Sequence, residues 1–134
     1  MLQQTCPCGG PNETDGGDSR ARPRAYDACC GRLHRGSERA GTAEELMRSR
    51  YSAFVLGLDD YLFATWHPRT RPDDVRGDPG TVWTGLEILD RTDGGPEDET
   101  GEVEFIARWQ GGEMRERSHF ARRAGRWTYV EGME

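Results

Sequence analysis

Residues 42–57, with the sequence TAEELMRSRYSAFVLG, determine how the fold begins. Thr42 followed by Glu45 has the form of a capping box, in which the threonine hydroxyl accepts a hydrogen bond from an amide of the first helical turn and the glutamate reaches back to the cap. Apolar side chains then recur at helical spacing, and Gly57 is typical of the left-handed residue that ends a helix. The stretch therefore predicts an amphipathic helix that starts after Thr42 and ends at Gly57.

A second, shorter helix is predicted directly after this corner, from Asp59 to His67. Asp59 is the expected N-cap, and Leu62 and Trp66 form the expected buried stripe. Pro68 ends the helix because its ring cannot continue the hydrogen-bond ladder.

From Thr81 the apolar pattern changes to a period of two, which predicts strands with one buried face. In the first strand Val82, Leu86 and Ile88 alternate with Trp83, Glu87 and Leu89, and in the second Val103, Phe105, Ala107 and Trp109 alternate with Glu102, Glu104 and Arg108. Gly111-Gly112 and Ala124-Gly125 predict hairpin turns on either side of a strand from Glu113 to Arg123, followed by a strand from Arg126 to Glu131. The segment from Asp93 to Gly101, rich in Gly, Pro and acids, predicts a solvent-exposed loop.

Helices followed by four consecutive strands predict an α+β domain with the helices packed on one face of a curved antiparallel sheet. The strands carry many large aromatic rings, which a flat sheet of this length would leave exposed. A cone-shaped sheet would bury them.

Composition narrows the possible functions. The chain has 134 residues, enough for one modest core, and a formal net charge of −6 that disfavours nucleic-acid binding. All 18 basic residues are arginines, which excludes a lysine Schiff base and a phosphate-loop lysine. We expect a cytoplasmic protein with no membrane contact, because residues 1–10 do not resemble a signal peptide and no apolar run could span a bilayer.

Four cysteines in two tight pairs, Cys6 with Cys8 and Cys29 with Cys30, predict a metal site. Zn²⁺ is the natural ion for four thiolates, and a closed four-cysteine site would stabilise an N-terminal segment that has little apolar content of its own. Disulfides are the alternative, but they are disfavoured in the cytoplasm and strained between adjacent cysteines. His34, four residues after Cys30, is a further candidate that could replace one thiolate.

At these residues the chain resembles a known family. Cys6-Pro7-Cys8-Gly9 and Tyr26-x-x-Cys29-Cys30-Gly31 resemble the SEC-C zinc motif, although twenty residues separate the two pairs here, more than that motif usually has. The segments Leu33-His34-x-Gly36, 42–54 and Tyr61-Leu62-x-x-Thr65-Trp66-His67 resemble the YchJ-type bacterial proteins. The resemblance implies a SEC-C-like zinc-binding segment at residues 1–41 and a nuclear-transport-factor-2-like α+β domain at residues 42–134, whose cone would have a pocket at its open end.

Candidate ligand-binding residues lie on the first helix and on the aromatic positions. They are Arg48, Arg50, Tyr51, Trp66, Trp83 and Trp127. An arginine of the helix would bind an anion or carboxylate, or else pair with an acid such as Glu44 or Glu45. The tryptophans would line a ligand pocket or simply form the core.

The candidates for acid–base catalysis are His67, Asp59 and His119. Enzymes on this type of fold use a carboxylate or histidine in the cone as general base. Helix capping, the helix dipole and strand exposure explain the same residues without catalysis. An isomerase, dehydratase or hydrolase is therefore the alternative hypothesis. The leading one is a non-enzymatic zinc protein whose cone binds a small ligand or a protein. Its zinc segment, with Arg32, Arg35 and Arg39, could contact an acidic partner.

Overall fold

The computed structural model describes residues 6–8, 25–75 and 80–133, and the statements below concern those residues. A short 3-10 helix, Tyr26–Ala28, leads into helix α1 (Cys30–His34), followed by α2 (Ala43–Leu56) and α3 (Asp59–Ala64). Four strands follow: β1 (Trp83–Asp93), β2 (Thr100–Trp109), β3 (Gly112–Arg123) and β4 (Arg126–Met133). None of the described helices is long and apolar enough to cross a membrane.

Helix α2 is bounded as its sequence predicts. The Thr42 hydroxyl accepts a hydrogen bond of 3.1 Å from the Glu45 amide, and Gly57 adopts φ 73°. The Glu45 carboxylate accepts from the Gly41 amide at 2.7 Å, one residue before the cap itself. Both ends of α2 are therefore fixed by local interactions.

Helix α3 is shorter than predicted. It ends at Ala64, and its N-cap is Leu58, so Asp59 is the first helical residue and not the cap. Trp66 lies beyond the helix, in a bridge to β4 in which the Tyr129 amide donates to the Thr65 carbonyl and the His67 amide donates to the Tyr129 carbonyl, each at 2.8 Å. Pairing with the sheet edge takes over the backbone groups that a longer helix would have used.

The four strands form one antiparallel meander in the order β1-β2-β3-β4. Val103, Phe105 and Ala107 of β2 are buried, as the alternation predicts. In β1 the register shifts between Trp83 and Gly85 and again between Ile88 and Asp90. The first shift moves Trp83 onto the buried face and leaves Val82 56% exposed, so the predicted placement of these two residues is wrong.

The turns also differ slightly from the sequence prediction. The β2–β3 turn consists of Gln110 and Gly111, with Gly112 already in β3, and the β3–β4 turn is Ala124-Gly125 as predicted. The β1–β2 loop is shorter than the predicted Asp93–Gly101. One of its residues, Gly94, is buried, and its carbonyl accepts a hydrogen bond of 2.9 Å from the Ala43 amide at the start of α2.

One buried core joins the N-terminal segment, α2 and the sheet. Its members are Cys6, Cys8, Cys30, Ala43, Leu46, Met47, Tyr51, Val103, Phe105, Ala107, Phe120 and Trp127. The fold is thus the α+β arrangement of helices on one face of an antiparallel sheet, with three of its cysteines in the same core as the sheet.

Candidate metal centre and ligand cavity

The four cysteines converge on one point. Their Sγ atoms all lie within 4.8 Å of one another, with three of the residues buried and Cys29 half-buried. The Sγ atoms of Cys8 and Cys29 are 3.7 Å apart, and those of Cys29 and Cys30 are 4.0 Å apart. No disulfide joins them, since a bridge would bring two sulfurs to about 2.05 Å.

The Cys8–Cys29 and Cys29–Cys30 separations are compatible with a tetrahedral metal site. Four sulfurs at about 2.3 Å from a central zinc ion lie about 3.8 Å from each other, along the edges of a tetrahedron. The measured distances of 3.7 and 4.0 Å lie on either side of this value. Four cysteines in this arrangement could hold a metal ion with no further ligand.

The local backbone brings the second cysteine pair into place. The Cys29 amide donates to the Tyr26 carbonyl at 3.0 Å, which closes the 3-10 turn, and Cys30 begins α1. A Cβ atom on Gly31 would lie 2.8 Å from the Tyr26 carbonyl oxygen and 2.9 Å from its ring. Only glycine therefore lets Tyr26 pack against the start of α1.

The thiols influence each other's ionisation. The pKa of Cys29 is lowered to about 7, chiefly by a hydrogen bond from Cys30, and a hydrogen bond from Cys29 lowers the pKa of Cys6. The pKa values of Cys8 and Cys30 are raised, chiefly because hydrogen bonding with Cys29 favours their protonated forms. Without a cation the cluster cannot carry four thiolates, whereas a divalent ion would favour the thiolate at every position.

His34 uses both ring nitrogens within the protein. Its Nε2 donates to the Ser49 carbonyl at 2.8 Å, and its Nδ1 accepts from the Tyr26 hydroxyl at 2.6 Å. A carbonyl can only accept, so Nε2 carries a proton, and the neutral ring is the form in which Nδ1 accepts from Tyr26. Burial lowers the pKa of His34 and agrees with this state. The side chain supports the thiol segment from α2 and does not point a free nitrogen at the sulfurs.

Arg48 links α2 to the first cysteine pair. Its Nε donates to the Glu44 carboxylate at 2.8 Å, and one terminal nitrogen donates to the Cys8 carbonyl at 3.2 Å. Glu44 is only 6% exposed and also forms an ion pair with Arg91 of β1. Arg48 thus pairs with an acid, one of the two possibilities that the sequence left open, and it does not line the cavity described next.

A second feature is a cavity of about 280 Å³ between α2 and the sheet. It brings together four of the predicted ligand residues, Arg50, Tyr51, Trp66 and Trp83. The other described lining residues are Met47, Phe54, Phe105, Ala107, Met114, Glu116, Ser118 and Tyr129. Most of these side chains are apolar, which makes the cavity a candidate small-molecule site.

Arg50 is the charged group of α2 in this cavity. It is 3% exposed, and one terminal nitrogen donates to the Leu62 carbonyl at 2.9 Å and to the Thr65 hydroxyl at 2.7 Å. Its guanidinium carbon lies 4.7 Å from the centre of the Tyr129 ring and 5.2 Å from that of Trp66. Burial lowers the pKa of Arg50 to about 10, and no described carboxylate forms an ion pair with it.

Trp127 lies elsewhere, on a larger open groove of about 590 Å³. The walls of this groove are residues 33–40 of the N-terminal segment, the end of α3 and the β3–β4 hairpin. Four arginines line it, Arg39, Arg71, Arg123 and Arg126, and none of them forms an ion pair with a described residue. Sequence reasoning missed this grouping because it selected Arg32 and Arg35 beside Arg39. In the structure Arg32 pairs with Glu38 and Glu45, and Arg35 pairs with Asp27.

None of the three acid–base candidates is among the described residues that line the cavity. His67 follows α3, and its Nδ1 accepts from the Arg69 amide at 3.0 Å. Asp59 lines a separate shallow depression beside Tyr61, and His119 pairs in register with Glu102 and Glu131 on the strands. These positions give no support to catalysis by His67, Asp59 or His119.

Glu116 is a cavity residue that the sequence reasoning did not select. Its carboxylate accepts from the Ser118 hydroxyl at 2.6 Å and from the Tyr129 hydroxyl at 3.5 Å. The available signal was the alternation along β3, where Met114, Glu116, Ser118 and Phe120 share a face. A glutamate on the inward side of a strand is unusual enough to mark a site.

Comparison with known proteins agrees with this architecture. The family model described as "YchJ, middle NTF2-like domain" matches residues 42–132. The chain belongs to the YchJ family. A UPF0225 protein of Streptomyces coelicolor is 51% identical over 132 residues, which cover 98% of this chain and 97% of that protein.

Two solved structures of SEC-C motif containing proteins are similar over almost the whole chain. The crystal structure from Psychrobacter arcticus has a TM-score of 0.74 and 30% identity, covering 96% of this chain and 81% of that one. The solution structure from Rhodopseudomonas palustris has a TM-score of 0.75 and 31% identity, covering 97% of this chain and 98% of that one. The resemblance to YchJ-type proteins, inferred from short motifs, is thereby confirmed.

Proposed function

We propose that this chain is a non-enzymatic zinc protein, in which a closed site of four cysteines fixes the N-terminal segment against a cone-shaped binding domain. The observation that carries the proposal is the convergence of four cysteine sulfurs within 4.8 Å of one another, with Sγ–Sγ distances of 3.7 Å for Cys8–Cys29 and 4.0 Å for Cys29–Cys30. A site with four protein ligands has no position for a reactive water, so the metal is structural.

The residues around the sulfurs support a structural role. Arg48 holds the Cys8 backbone, and His34 and Tyr26 join the second cysteine pair to α2. A cytoplasmic location, which we also propose, would keep the thiols reduced and available to the metal.

Metal analysis tests this part directly. We expect one zinc ion per chain in purified protein, with an X-ray absorption spectrum of four sulfur ligands at about 2.3 Å. Cys8→Ala should lose the metal to a competing chelator that leaves wild type loaded, and Pro7→Ala, the residue between the first two ligands, is the matched control. Retention of zinc by Cys8→Ala at wild-type affinity, or a spectrum with nitrogen or oxygen ligands, would contradict the proposal.

The basic groove gives the zinc segment a second role, as one wall of a surface that binds an acidic segment of a partner protein. Of the described residues that line the groove, Glu38 is the one acid, and it already pairs with Arg32. Four arginines that form no ion pair with a described residue, in a chain of net charge −6, favour an anionic partner at this location.

Binding of a labelled Glu-rich peptide tests the groove. We expect affinity to fall steeply with added salt and to fall about tenfold or more in the double variant Arg39→Glu/Arg126→Glu. Arg69→Glu, which changes an exposed arginine outside the groove, should bind as wild type does. Equal binding by the double variant, or tighter binding of an RNA oligonucleotide at the same site, would overturn this role.

A further inference from the structure

Arg50 differs from most described arginines because its charge is buried and no described carboxylate forms an ion pair with it. Of its guanidinium nitrogens, one terminal nitrogen makes both hydrogen bonds, to the Leu62 carbonyl and the Thr65 hydroxyl. The other terminal nitrogen and Nε donate to none of the described residues. Removing an ion from water is costly unless an opposite charge compensates it, so this arrangement is one that an anion would complete.

The two aromatic rings beside Arg50 offset part of this cost. Tyr129 and Trp66 lie 4.7 and 5.2 Å from the guanidinium carbon, within the range of cation–π attraction. The two rings contact each other edge to face, with centres 5.1 Å apart, so they flank the guanidinium together and do not sandwich it. The edge that carries Nε and the second terminal nitrogen, which donate to no described residue, is available to a planar acceptor. A carboxylate matches that edge through two parallel hydrogen bonds.

The rest of the cavity favours an apolar body on such a ligand. Tyr51 and Phe54 of α2 pack on Trp83 with ring centres 5.7 and 6.0 Å apart, and all three line the cavity. A volume of about 280 Å³ is just below the range of about 300–1,000 Å³ that is typical of small-molecule sites. A compact aromatic or aliphatic group would fill it.

Two further polar groups of the cavity indicate which class of ligand it favours. The indole N–H of Trp66 is buried and has no acceptor among the described residues. Glu116 lines the same cavity, and its negative charge disfavours a dianion such as a phosphate monoester. A ligand with a single negative charge can pair with Arg50 while its electrostatic repulsion from Glu116 stays smaller than that of a dianion.

We propose that the cavity binds a small monocarboxylate with an apolar tail, with its carboxylate on the edge of the Arg50 guanidinium and its tail against Tyr51, Phe54 and Trp83. This inference rests on the proposal that the cone-shaped domain is a binding domain, and it specifies the class of ligand that the domain binds. It is independent of the metal and of the basic groove.

The test uses the zinc-loaded 134-residue chain, with 3-phenylpropionate and its uncharged amide as probes. Calorimetry and NMR of the tryptophan side chains measure their binding. We expect the acid to bind, with shifts at Trp66 and Trp83, and the amide to bind at least tenfold more weakly. Absence of binding by the acid at about 10 mM, or equal binding of the amide, would overturn the proposal.

Three variants locate the charge contact. Arg50→Met should weaken binding of the acid about 10- to 100-fold, whereas Arg115→Met, on the opposite face of the sheet, should leave it unchanged. Glu116→Gln should tighten binding several-fold, because it removes a like charge, and this gain keeps the proposal testable even where Arg50→Met folds poorly. Wild-type affinity in Arg50→Met, or weaker binding in Glu116→Gln, would contradict the assignment. Zinc content and peptide binding, measured on the same samples, show separately whether the metal site and groove are intact.

Discussion

Helix α2 separates two sites with opposite electrostatic needs. On one side four sulfurs lie within 4.8 Å of one another and would each ionise more readily beside a cation. On the other side the buried guanidinium of Arg50 has no described carboxylate partner. The side of the helix that faces the cysteines could hold a cation and the side that faces the sheet could accept an anion, so burial alone does not define a site. What defines it is which charge the surrounding residues leave uncompensated.

The largest expected difference between the two sites is their effect on stability. Removing the proposed zinc ion with a chelator should lower the free energy of unfolding by about 5 kcal/mol and Tm by roughly 15 °C, because the sulfurs belong to the core shared with α2 and the sheet. Saturating 3-phenylpropionate, at about 100 times its Kd, should add only about 2.7 kcal/mol. Differential scanning calorimetry measures both. Cys8→Ala is the control whose stability should not change with the chelator. A loss of stability in Cys8→Ala equal to that of the wild type would contradict the assignment of this effect to the cysteine site.

The two arginines of α2 provide a matched pair of substitutions. Arg48→Met should cost about 1–3 kcal/mol, because it removes an ion pair from the buried Glu44 and a hydrogen bond from the Cys8 carbonyl. Arg50→Met should cost less, because the hydrogen bonds and ring contacts that it loses are offset by removal of a buried charge that has no described carboxylate partner. Urea unfolding of the two variants measures the difference. A larger loss for Arg50→Met than for Arg48→Met would mean that Arg50 has a partner in the folded protein.

The smallest expected effect is a pH dependence at His34. Its pKa is lowered in the folded state, so the unfolded chain binds more protons below its ordinary pKa of 6.5 and stability falls as the pH drops through that value. The wild type should lose about 1 kcal/mol more than His34→Gln between about pH 7.5 and pH 5.5. Denaturant midpoints at the two pH values measure this. Both proteins share the thiol cluster, so the difference between them isolates the histidine, and parallel pH profiles would show that His34 does not titrate in this way.

Local signals in the sequence predicted the elements that depend on local interactions. Thr42, Glu45 and Gly57 fix both ends of α2 through bonds within a few residues. Helix α3 was predicted too long because pairing of Thr65 and His67 with Tyr129, more than sixty residues away, replaces its last turn. Tyr129 lies too far along the chain for the residues around Trp66 to indicate this pairing.

The same distinction applies to β1 and to the candidate sites. The register shift after Trp83 reverses which residues face the core, and alternation alone cannot show where an extra residue is inserted. The spacing of the cysteines predicted that they belong together, because few other arrangements explain two tight pairs. Arg48 forms an ion pair with Glu44, whereas Arg50 pairs with no described carboxylate. The sequence left both possibilities open for an arginine of this helix, and the folded chain shows which arginine follows which.

The β1–β2 loop has a buried end at Gly94, whose carbonyl accepts from the Ala43 amide, and an exposed remainder. A Cβ atom on Gly94 would lie 2.8 Å from that of Ala43, and one on Gly101 would lie 2.4 Å from the Gly94 Cα, so this end of the loop admits no larger side chain. Residues 96–99, only a few positions away, are all exposed to solvent. A fluorophore or affinity tag at Glu97 would therefore report on the protein without disturbing the helix anchor, the sulfurs or the cavity.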